Sequence, residues 1–552
     1  MGDIHDHPRG VTGRSRLPRR AVLRGLAGGI VGLAAAALVG CSDDEDEANG
    51  AAGTAAPRSG GTYRASITGV FAGVDPHAAV YAGSGVVAVA YNYLLRQEVA
   101  RPDIGRQMDL AESMELGPDG LTWTFRLRPD ARIAPNDQDV PERALDAEDV
   151  LASFRRMADP ATGATAFPFF NQWVDTFDAP DERTVRLVTN RPFAWTPDVL
   201  GDNLQGAIAP REWLERGTDV RSQAVGAGPF RLESLQEADR AVLRPNPNYY
   251  LPGLPRLDEF RIQLFQDNAT QRTAFASRQV DTYLTADHEE ADALVQSVQG
   301  VVSTRHGSTG FNSFWMRATA DPWTDERVRR AVSLAMNRQQ YVDLLGKGLG
   351  HPMGPLKPLF LDYALSPEEL ATLQPFDPAE AARLFTAAGV DAFDFVHPSA
   401  FTLADYAAIF VRQMAEAGVT ATARPMDTAA WLAGYFGSQH TATLAPNQQY
   451  KTPEVGLRWY RTGGVTGAGA YAHGHYRADI DAALDGAASI FDDAERQEAY
   501  REVQRLILAS DPAYLNIYNL VNHTLVYDDV TGLSPGPGAM DLFLMREVRV
   551  GA

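Results

Sequence analysis

DLAESMELGPDGLTWTFRLRPD, residues 109–130, is the stretch that gives the clearest structural signal in this sequence. Pro118, Asp119 and Gly120 are typical of a tight turn between two antiparallel strands. The eight residues after the turn alternate between apolar and polar side chains, which predicts a strand buried on one face. The stretch therefore predicts a β-hairpin.

A helix is predicted directly after this hairpin, in LDAEDVLASFRRM (145–157). Asp146 stands three residues before Asp149, and the following apolar residues are spaced as on one face of a helix. Further short strands, separated by Gly, Pro and Asn, are predicted in the rest of the first half. They lie in TVRLV (184–188), VGAGPFRLESL (225–235), AVLRPNPNYY (241–250) and FRIQLF (260–265).

The second half of the chain is richer in predicted helices, with capping residues at their starts and glycines at their ends. A strand predicted at 419–423 directly follows one of these helices, and such a helix-to-strand crossover is typical of α/β sheets. Three of the helices are predicted to begin at Thr324, Asp377 and Asp492, and the glycines predicted to end helices are Gly346, Gly389 and Gly418.

Composition and motifs exclude several classes of function. The 552 residues are 45% hydrophobic and 22% charged, as in ordinary globular proteins, and the formal charge of −20 disfavours a nucleic-acid partner. The single cysteine excludes an internal disulfide, a multi-cysteine zinc site and an iron–sulfur cluster. His473 and His475 have no acid or cysteine nearby in the sequence, so no metal site is predicted. Nucleophile-elbow, zinc-protease and Walker sequences are absent, and we expect neither enzymatic activity nor a cofactor.

The first 40 residues are predicted to be an export signal. Arg19 and Arg20 resemble a twin-arginine motif, and the uncharged stretch after them is shorter than the ~20 residues of a membrane span. That stretch ends in LVGC at Cys41, which resembles a lipobox; the alternative for a lone cysteine is a free buried thiol. Residues 41–60 have the composition of a flexible tether. We expect a lipid-anchored protein outside the cytoplasm, in the periplasmic space or on the outer face of the cytoplasmic membrane.

Five groups of segments, in this order, resemble the extracellular solute-binding protein family 5. Its members are the dipeptide-, oligopeptide- and nickel-binding components of ABC importers. The resemblance extends from residue 60 to about residue 533. The matching segments are 109–130 with 145–157, 225–235 with 243–250, 321–342, 376–390 and 475–504.

The resemblance implies an α/β fold of the bilobed periplasmic-binding-protein type (type II). Two lobes would be joined by a two-strand hinge and would hold the ligand in the cleft between them. Lobe I would comprise residues 61–310, with an inserted subdomain at about 92–184. Lobe II would comprise residues 311–514, and residues 515–552 would return to lobe I.

The resemblance also predicts where a peptide ligand would bind. Peptide-binding members hold the α-ammonium group of the ligand with an aspartate in a lobe II segment of the form Gly-Trp-x-x-Asp-x-x-Asp-Pro. The matching stretch here is APNQQYKTP (445–453), with Gln449 in place of that aspartate. A neutral amide offers no ion pair, and losing a desolvated charge pair costs about 2–5 kcal/mol. The alternatives are a misaligned stretch or another acid, such as Glu454.

Aromatic side chains are also expected to line the pocket. Beyond the main candidates named below, the aromatic residues considered include Tyr93, Trp173, Trp195 and Trp431. One group of candidates precedes a glycine-rich loop, a second lies at the first hinge strand, and one residue lies further upstream. These candidates are Trp459, Tyr460 and Arg461; Phe311, Asn312 and Trp315; and Tyr91.

Together these features predict a monomeric solute-binding protein that closes on a small solute and presents it to an ABC permease with its ATPase subunits. A short peptide or peptide-like molecule is the leading solute class. A non-peptide polar solute, such as a sugar or an opine-like compound, is the alternative, because of Gln449. Two rival hypotheses from different functional classes are an exported lipoprotein hydrolase and a receptor that feeds no permease.

Overall fold

The computed structural model describes residues 60–68, 71, 73–78, 82–97, 106–202, 205–360, 362–399, 403–448, 452–462, 473–534 and 543–551. Several predicted features lie outside these residues. They are Arg19, Arg20, Cys41, Gln449, the export signal and all of the tether except Gly60.

Nineteen strands are present in the described part of the chain. They are β1 (Thr62–Thr68), β2 (Leu95–Gln97), β3 (Arg106–Met108), β4 (Ala111–Leu116), β5 (Thr122–Leu127), β6 (Val174–Asp181), β7 (Thr184–Thr189), β8 (Phe230–Gln236), β9 (Arg240–Pro245), β10 (Glu259–Phe265), β11 (Thr282–Thr285), β12 (Val301–Met316), β13 (His351–Pro352), β14 (Ala392–Pro398), β15 (Thr420–Met426), β16 (Ala442–Gln448), β17 (Tyr514–Tyr527), β18 (Val530–Thr531) and β19 (Arg549–Val550).

Sixteen α-helices accompany these strands among the described residues. They are α1 (Ala82–Ala90), α2 (Ala147–Met157), α3 (Phe167–Trp173), α4 (Thr196–Leu200), α5 (Arg211–Leu214), α6 (Asn268–Ala276), α7 (His288–Ser297), α8 (Glu326–Ala335), α9 (Arg338–Leu344), α10 (Pro367–Leu373), α11 (Pro378–Ala388), α12 (Leu403–Glu416), α13 (Thr428–Phe436), α14 (Pro453–Leu457), α15 (Ala478–Ala488) and α16 (Asp493–Ala509). None of these helices has both the length and the apolar character that a membrane crossing requires.

The predicted hairpin is confirmed as β4 and β5, which belong to a four-stranded sheet in the order β4-β5-β7-β6. The Asp119 carboxylate accepts hydrogen bonds from the backbone amides of Leu121 and Thr122, at 2.9 and 3.0 Å. The predicted helix is α2, and Asp146 and Asp149 form a capping box at its start. Phe154 of this helix packs edge-on against Phe177 of β6, so the helix covers one face of the sheet.

A second four-stranded sheet has the order β1-β10-β9-β8 and contains three of the other predicted strands. The N-terminal strand β1 pairs in parallel with β10, whereas β10, β9 and β8 are antiparallel neighbours. This arrangement buries Tyr63 against Phe260, with their ring centres 6.0 Å apart.

The largest sheet has seven strands in the order β11-β17-β12-β16-β14-β15, with β13 also paired to β17. β14 and β15 are parallel and joined by α12, which confirms the predicted helix-to-strand crossover. β12 and β17 are long antiparallel partners, and their register is irregular between Gly307 and Ser313. β11 pairs with β17 on one side of that irregularity, and β16 pairs with β12 from Gly310 onward. The two long strands therefore connect the end of the sheet that contains β11 with the end that contains β16, β14 and β15.

The helix predicted from Thr324 to Gly346 is wrong in its limits. The observed helix α8 begins at Glu326, and its N-cap is Asp325, whose carboxylate accepts a hydrogen bond from the amide of Arg327 at 2.9 Å. The hydroxyl of Thr324, the predicted cap, instead donates to Asp321. The helix also breaks after Ala335. Asn337 caps a new helix, α9, so the continuous apolar spacing hides a change of direction. The predicted caps Asp377 and Asp492 are confirmed at α11 and α16.

Candidate functional site

A small pocket lies between two groups of elements. One wall comes from α3 and from the chain that follows β7. The other comes from α14 and the short 3₁₀ helix Arg458–Tyr460. The lining includes three aromatic residues and three charged residues, namely Phe169, Trp173, Phe193, Glu454, Arg458 and Arg461.

The aromatic wall is rigidly packed. Trp173 is the last residue of α3, and its ring centre lies 4.2 Å from that of Phe193. The ring centre of Phe169 lies 5.6 Å from that of Phe193. The guanidinium carbon of Arg191 lies 4.0 Å from the Trp173 ring centre. The wall can therefore cover an apolar part of a ligand. The Arg191 guanidinium group stabilises the Trp173 ring by a cation–π contact.

The charged wall is set by the start of α14. The hydroxyl of Thr452 accepts a hydrogen bond from the amide of Val455 at 3.2 Å, and Pro453 occupies the first helical turn. This cap places Glu454 in the first turn, facing the pocket. The helix lasts five residues and continues as the 3₁₀ helix, which brings Arg458 and Arg461 to the same wall.

Arg461 is buried, with 7% of its surface exposed. Its Nη1 atom forms an ion pair with Asp485 of α15, and the other oxygen of Asp485 accepts from Arg191 Nη1 at 2.6 Å. The Nε and Nη2 atoms of Arg461 are buried, with no hydrogen-bond partner among the described residues. Two nitrogen atoms of this guanidinium group therefore lack an acceptor in the described part of the chain.

The carboxylate of Glu454 lies near both pocket arginines but forms no hydrogen bond with another described residue. Burial raises the pKa of its carboxyl group, and the charges of Arg461 and Arg458 partly offset that rise. Burial likewise lowers the pKa of Arg458, whose Nε atom also has no partner in the described part of the chain. The pocket wall therefore carries side chains of both charge signs.

Of the predicted triplet Trp459, Tyr460 and Arg461, only Arg461 lines this pocket. The 3₁₀ geometry turns the two aromatic side chains away. Trp459 packs edge-on against Trp315 at 5.4 Å, and the hydroxyl of Tyr460 donates to the carbonyl oxygen of Tyr514 at 3.3 Å.

The hinge candidates Phe311, Asn312 and Trp315 lie on β12, away from the pocket lining. The Trp315 ring is buried and stacks on Tyr514 of β17 at 3.9 Å, which fastens the two long strands together. Phe311 is buried where the register of those strands is irregular.

Tyr91 is fully buried, and its hydroxyl oxygen accepts a hydrogen bond from Trp213 Nε1 at 3.1 Å. It therefore serves the packing of the first half of the chain and does not line this pocket. Trp173, which was only in the wider aromatic set, does line it. The sequence analysis did not predict Arg458. It lies three residues before Arg461, a spacing that can place both side chains on the same face of a helical segment, and this pattern could have indicated it.

Both ring nitrogens of His473 are engaged within the protein. Its Nδ1 atom accepts from the backbone amide of His475 at 3.0 Å, so its protonated Nε2 atom donates to the carbonyl oxygen of Trp459 at 2.7 Å. Burial lowers the pKa of His473 to about 4, and it does the same for His475. His473 is thus held neutral as a structural link to the 3₁₀ helix.

Stability should fall as the pH is lowered from 7 to 5, because His473 and the buried His77 both have pKa values lowered to about 4. The unfolded chain binds protons at these histidines near pH 6.5, whereas the folded chain does not until near pH 4. The free energy of unfolding should therefore fall by about 1–2 kcal/mol for each of these two histidines between pH 7 and pH 5. Thermal unfolding across this range measures the effect.

A stability profile that is flat between pH 7 and pH 5 would contradict that prediction. His351, which is exposed, provides the matched control. His351→Gln should keep the wild-type profile, whereas His77→Gln should show a shallower dependence on pH.

The model of the bacterial extracellular solute-binding proteins, family 5 (middle), matches residues 106–467. The chain belongs to this family. Di/tripeptide-binding protein 2 of Pseudomonas aeruginosa (strain UCBPP-PA14) is 28% identical over 300 residues, or 51% of this chain and 55% of that protein. The chain therefore spans about half the length of this curated relative.

Two solved structures are similar over most of the chain. DppA from Helicobacter pylori, in complex with the peptide STSA, has a TM-score of 0.77 and 19% identity, over 89% of this chain and 98% of that one. The binding protein AgaA from A. tumefacien R10, in complex with agropinic acid, has a TM-score of 0.77 and 21% identity, over 89% and 99%. These similarities confirm the predicted α/β, bilobed, type II fold of the family.

Proposed function

We propose that this family 5 protein is the solute-binding component of an ABC importer. It captures a short peptide or peptide-like solute between its lobes and delivers it to the permease. The observation that carries the proposal is the pocket, whose two walls come from segments that the proposed boundaries assign to lobe I with its inserted subdomain and to lobe II. We keep the boundaries 61–310 for lobe I and 311–514 for lobe II. The residue types suit a small molecule with both apolar and charged parts.

Closure of the lobes on the solute needs contacts that form between them. The backbone amide of Ala194 donates to the carbonyl oxygen of Ala488 at 2.8 Å. The indole Nε1 of Trp195 donates to the hydroxyl of Tyr500, also at 2.8 Å. We propose that these contacts lie between the lobes, and that a solute filling the pocket from both sides favours the arrangement in which they form, without covalent chemistry.

A peptide-like solute is supported by the di/tripeptide-binding relative and by Glu454, which can pair with an ammonium group in place of Gln449. An opine-like acid is the second candidate, because the structurally similar AgaA binds agropinic acid and Gln449 is neutral. Calorimetry with di- and tripeptides, sugars and opine-type acids distinguishes the two classes. Binding of sugars alone would reject the peptide and the opine-like acid, and would leave a sugar as the non-peptide polar solute.

The hydrolase and the permease-free receptor are the rival hypotheses to an importer component. Incubation with a panel of esters and peptides, followed by mass spectrometry, tests for a hydrolase, and we expect every compound to be recovered intact. Genes for a permease and an ATPase next to this one would argue against the permease-free receptor.

Lipid anchoring through Cys41 is part of the same proposal, since a tethered binding protein stays close to its permease. Cys41→Ser should release the protein from washed membranes, because the thiol is the attachment point. Cell fractionation measures this, with the wild type as control. Retention of Cys41→Ser on membranes after a salt wash would contradict the lipobox hypothesis.

In the same assay, replacing both Arg19 and Arg20 by Lys should block export if the twin-arginine route is used.

A further inference from the structure

Two buried histidines meet where helix α7 packs on the largest sheet. His288 is the first residue of α7, and His523 lies on β17, between Thr285 of β11 and Arg305 of β12. Nδ1 of His288 is 2.5 Å from Nε2 of His523, and the two residues are 7% and 1% exposed. The two rings are therefore joined by a hydrogen bond that is shielded from solvent.

The hydrogen bond between the rings is one link of a longer chain. The hydroxyl of Ser303 lies 2.9 Å from Nδ1 of His523, and His288 donates to the backbone of Gly346. Because Nδ1 of His288 faces His523, its protonated Nε2 is the donor to Gly346, and its Nδ1 is an acceptor. His523 then donates from Nε2 and accepts the Ser303 proton at Nδ1. Every link is satisfied when both rings are neutral.

The chain can take up one proton without breaking, but not two. When His288 is protonated, its Nδ1 donates to His523, and the proton of His523 moves to Nδ1, where the Ser303 hydroxyl oxygen accepts it. When His523 is protonated as well, two N–H groups and two positive charges face each other across 2.5 Å. This contact is repulsive, and the repulsion is strong because water is excluded from it.

The surroundings of the pair favour neutral rings at pH 7. Burial lowers the pKa of His288, and the charge of Arg305 lowers it further, whereas Asp287 and Asp292 raise it. Burial also lowers the pKa of His523, as do the charges of His288 and Arg305. Double protonation therefore requires a pH below the usual pKa of histidine, about 6.5. The charged and titratable groups that surround the pair are Arg305 and His306 of β12 and Asp287 and Asp292 of α7.

The pair stands at a connection between α7 and the chain that follows α9. His288 donates to the backbone of Gly346, and the residues next to these two, Glu289 and Lys347, form an ion pair at 3.6 Å. The loop 346–350 leads into β13, which pairs with β17. The loop is therefore held by α7 at one end and, through β13, by β17 at the other.

We propose that His288 and His523 form an acid-sensitive latch, which holds the start of α7 against β17 and Gly346 and opens when both rings are protonated. The latch does not depend on the identity of the solute. Under the proposed boundaries α7 belongs to lobe I and Gly346 to lobe II, so its opening removes one connection between the lobes. In an exported protein, such a latch would respond to the pH outside the cytoplasm.

Hydrogen–deuterium exchange of the protein, corrected for the intrinsic pH dependence of exchange, tests the latch. Exchange is followed from pH 7 to about pH 4 in α7 and, for comparison, in α6, which packs on β1, β10 and β11. In the wild type, the protection of the first turns of α7 should fall by roughly 10-fold or more relative to α6. His523→Gln cannot take up the second proton, so it should not show this loss.

His351→Gln is the matched control, because His351 is exposed and lies directly after the loop 346–350. It should lose protection of α7 as the wild type does. The inference is overturned if α7 of the wild type stays as protected as α6 down to about pH 4. An equal loss of protection in His523→Gln and in the wild type overturns it too. If His523→Gln does not fold, the comparison of α7 with α6 in the wild type decides the matter.

Discussion

Asp109→Asn should lower the free energy of unfolding by about 3–5 kcal/mol, the cost of leaving a buried charge without its partner. Asp109 and Arg96 form an ion pair at 2.9 Å, with side chains 1% and 4% exposed. The carboxylate also accepts from the backbone amide of Tyr93 at 2.9 Å and from the hydroxyl of Tyr250 at 2.7 Å. The substitution keeps the shape of the side chain but leaves the Arg96 charge uncompensated in the core.

Chemical denaturation of wild type and variant measures this effect. Asp178→Asn is the matched control, because Asp178 pairs with Arg186 through two hydrogen bonds but on the surface. Exposed pairs contribute about 0–1 kcal/mol, so this variant should unfold nearly as the wild type does. Equal unfolding free energies for the two variants would contradict the prediction that the buried pair of Asp109 and Arg96 matters more than the exposed pair.

Glu454→Gln should weaken binding of a free-amine peptide by about 2–5 kcal/mol, if Glu454 pairs with the ligand ammonium group in place of Gln449. Two observations support that role: Glu454 lines the pocket, and its carboxylate forms no hydrogen bond with another described residue. N-acetylated peptides carry no ammonium charge, so their affinity should hardly change. Calorimetry on wild type and variant, with each peptide in both forms, measures the difference.

Gln449→Asp is the complementary variant. An acid at this position should strengthen binding of free-amine peptides by ~1–3 kcal/mol relative to the acetylated forms, provided that the site excludes water. If the wild type binds a free-amine peptide tightly and Glu454→Gln does not change this, another acid holds the ammonium group. The alignment of residues 445–453 with the family segment would then be wrong.

Local sequence patterns predicted the local structure well. The turn at Pro118-Asp119-Gly120 and the caps Asp377 and Asp492 are short-range signals, and each produced the expected element. The prediction of one continuous helix from Thr324 was wrong, because the helical spacing of apolar residues continues across the break at which Asn337 caps a new helix. The order of the strands and the pairing of β12 with β17 depend on contacts between distant parts of the chain, and only the family resemblance indicated them.

The candidate site was predicted only in part, for a geometric reason. Arg461 was identified together with its two aromatic neighbours, but a 3₁₀ turn sends consecutive side chains in different directions, and Trp459 and Tyr460 point into the core. The role of Asp485 has no sequence signature. It arises because α15 packs where Arg191 and Arg461 meet.

Native mass spectrometry of the mature protein is the most direct test of the proposed solute-binding function. Spectra are recorded on freshly purified protein and again after incubation with the peptide and opine-type acid panel. We expect one small molecule bound per chain, lost on unfolding and recovered chemically unchanged. A chain that carries no solute in either sample, or one that releases a cleaved product, would contradict the assignment of this family 5 protein as the solute-capturing component of an importer.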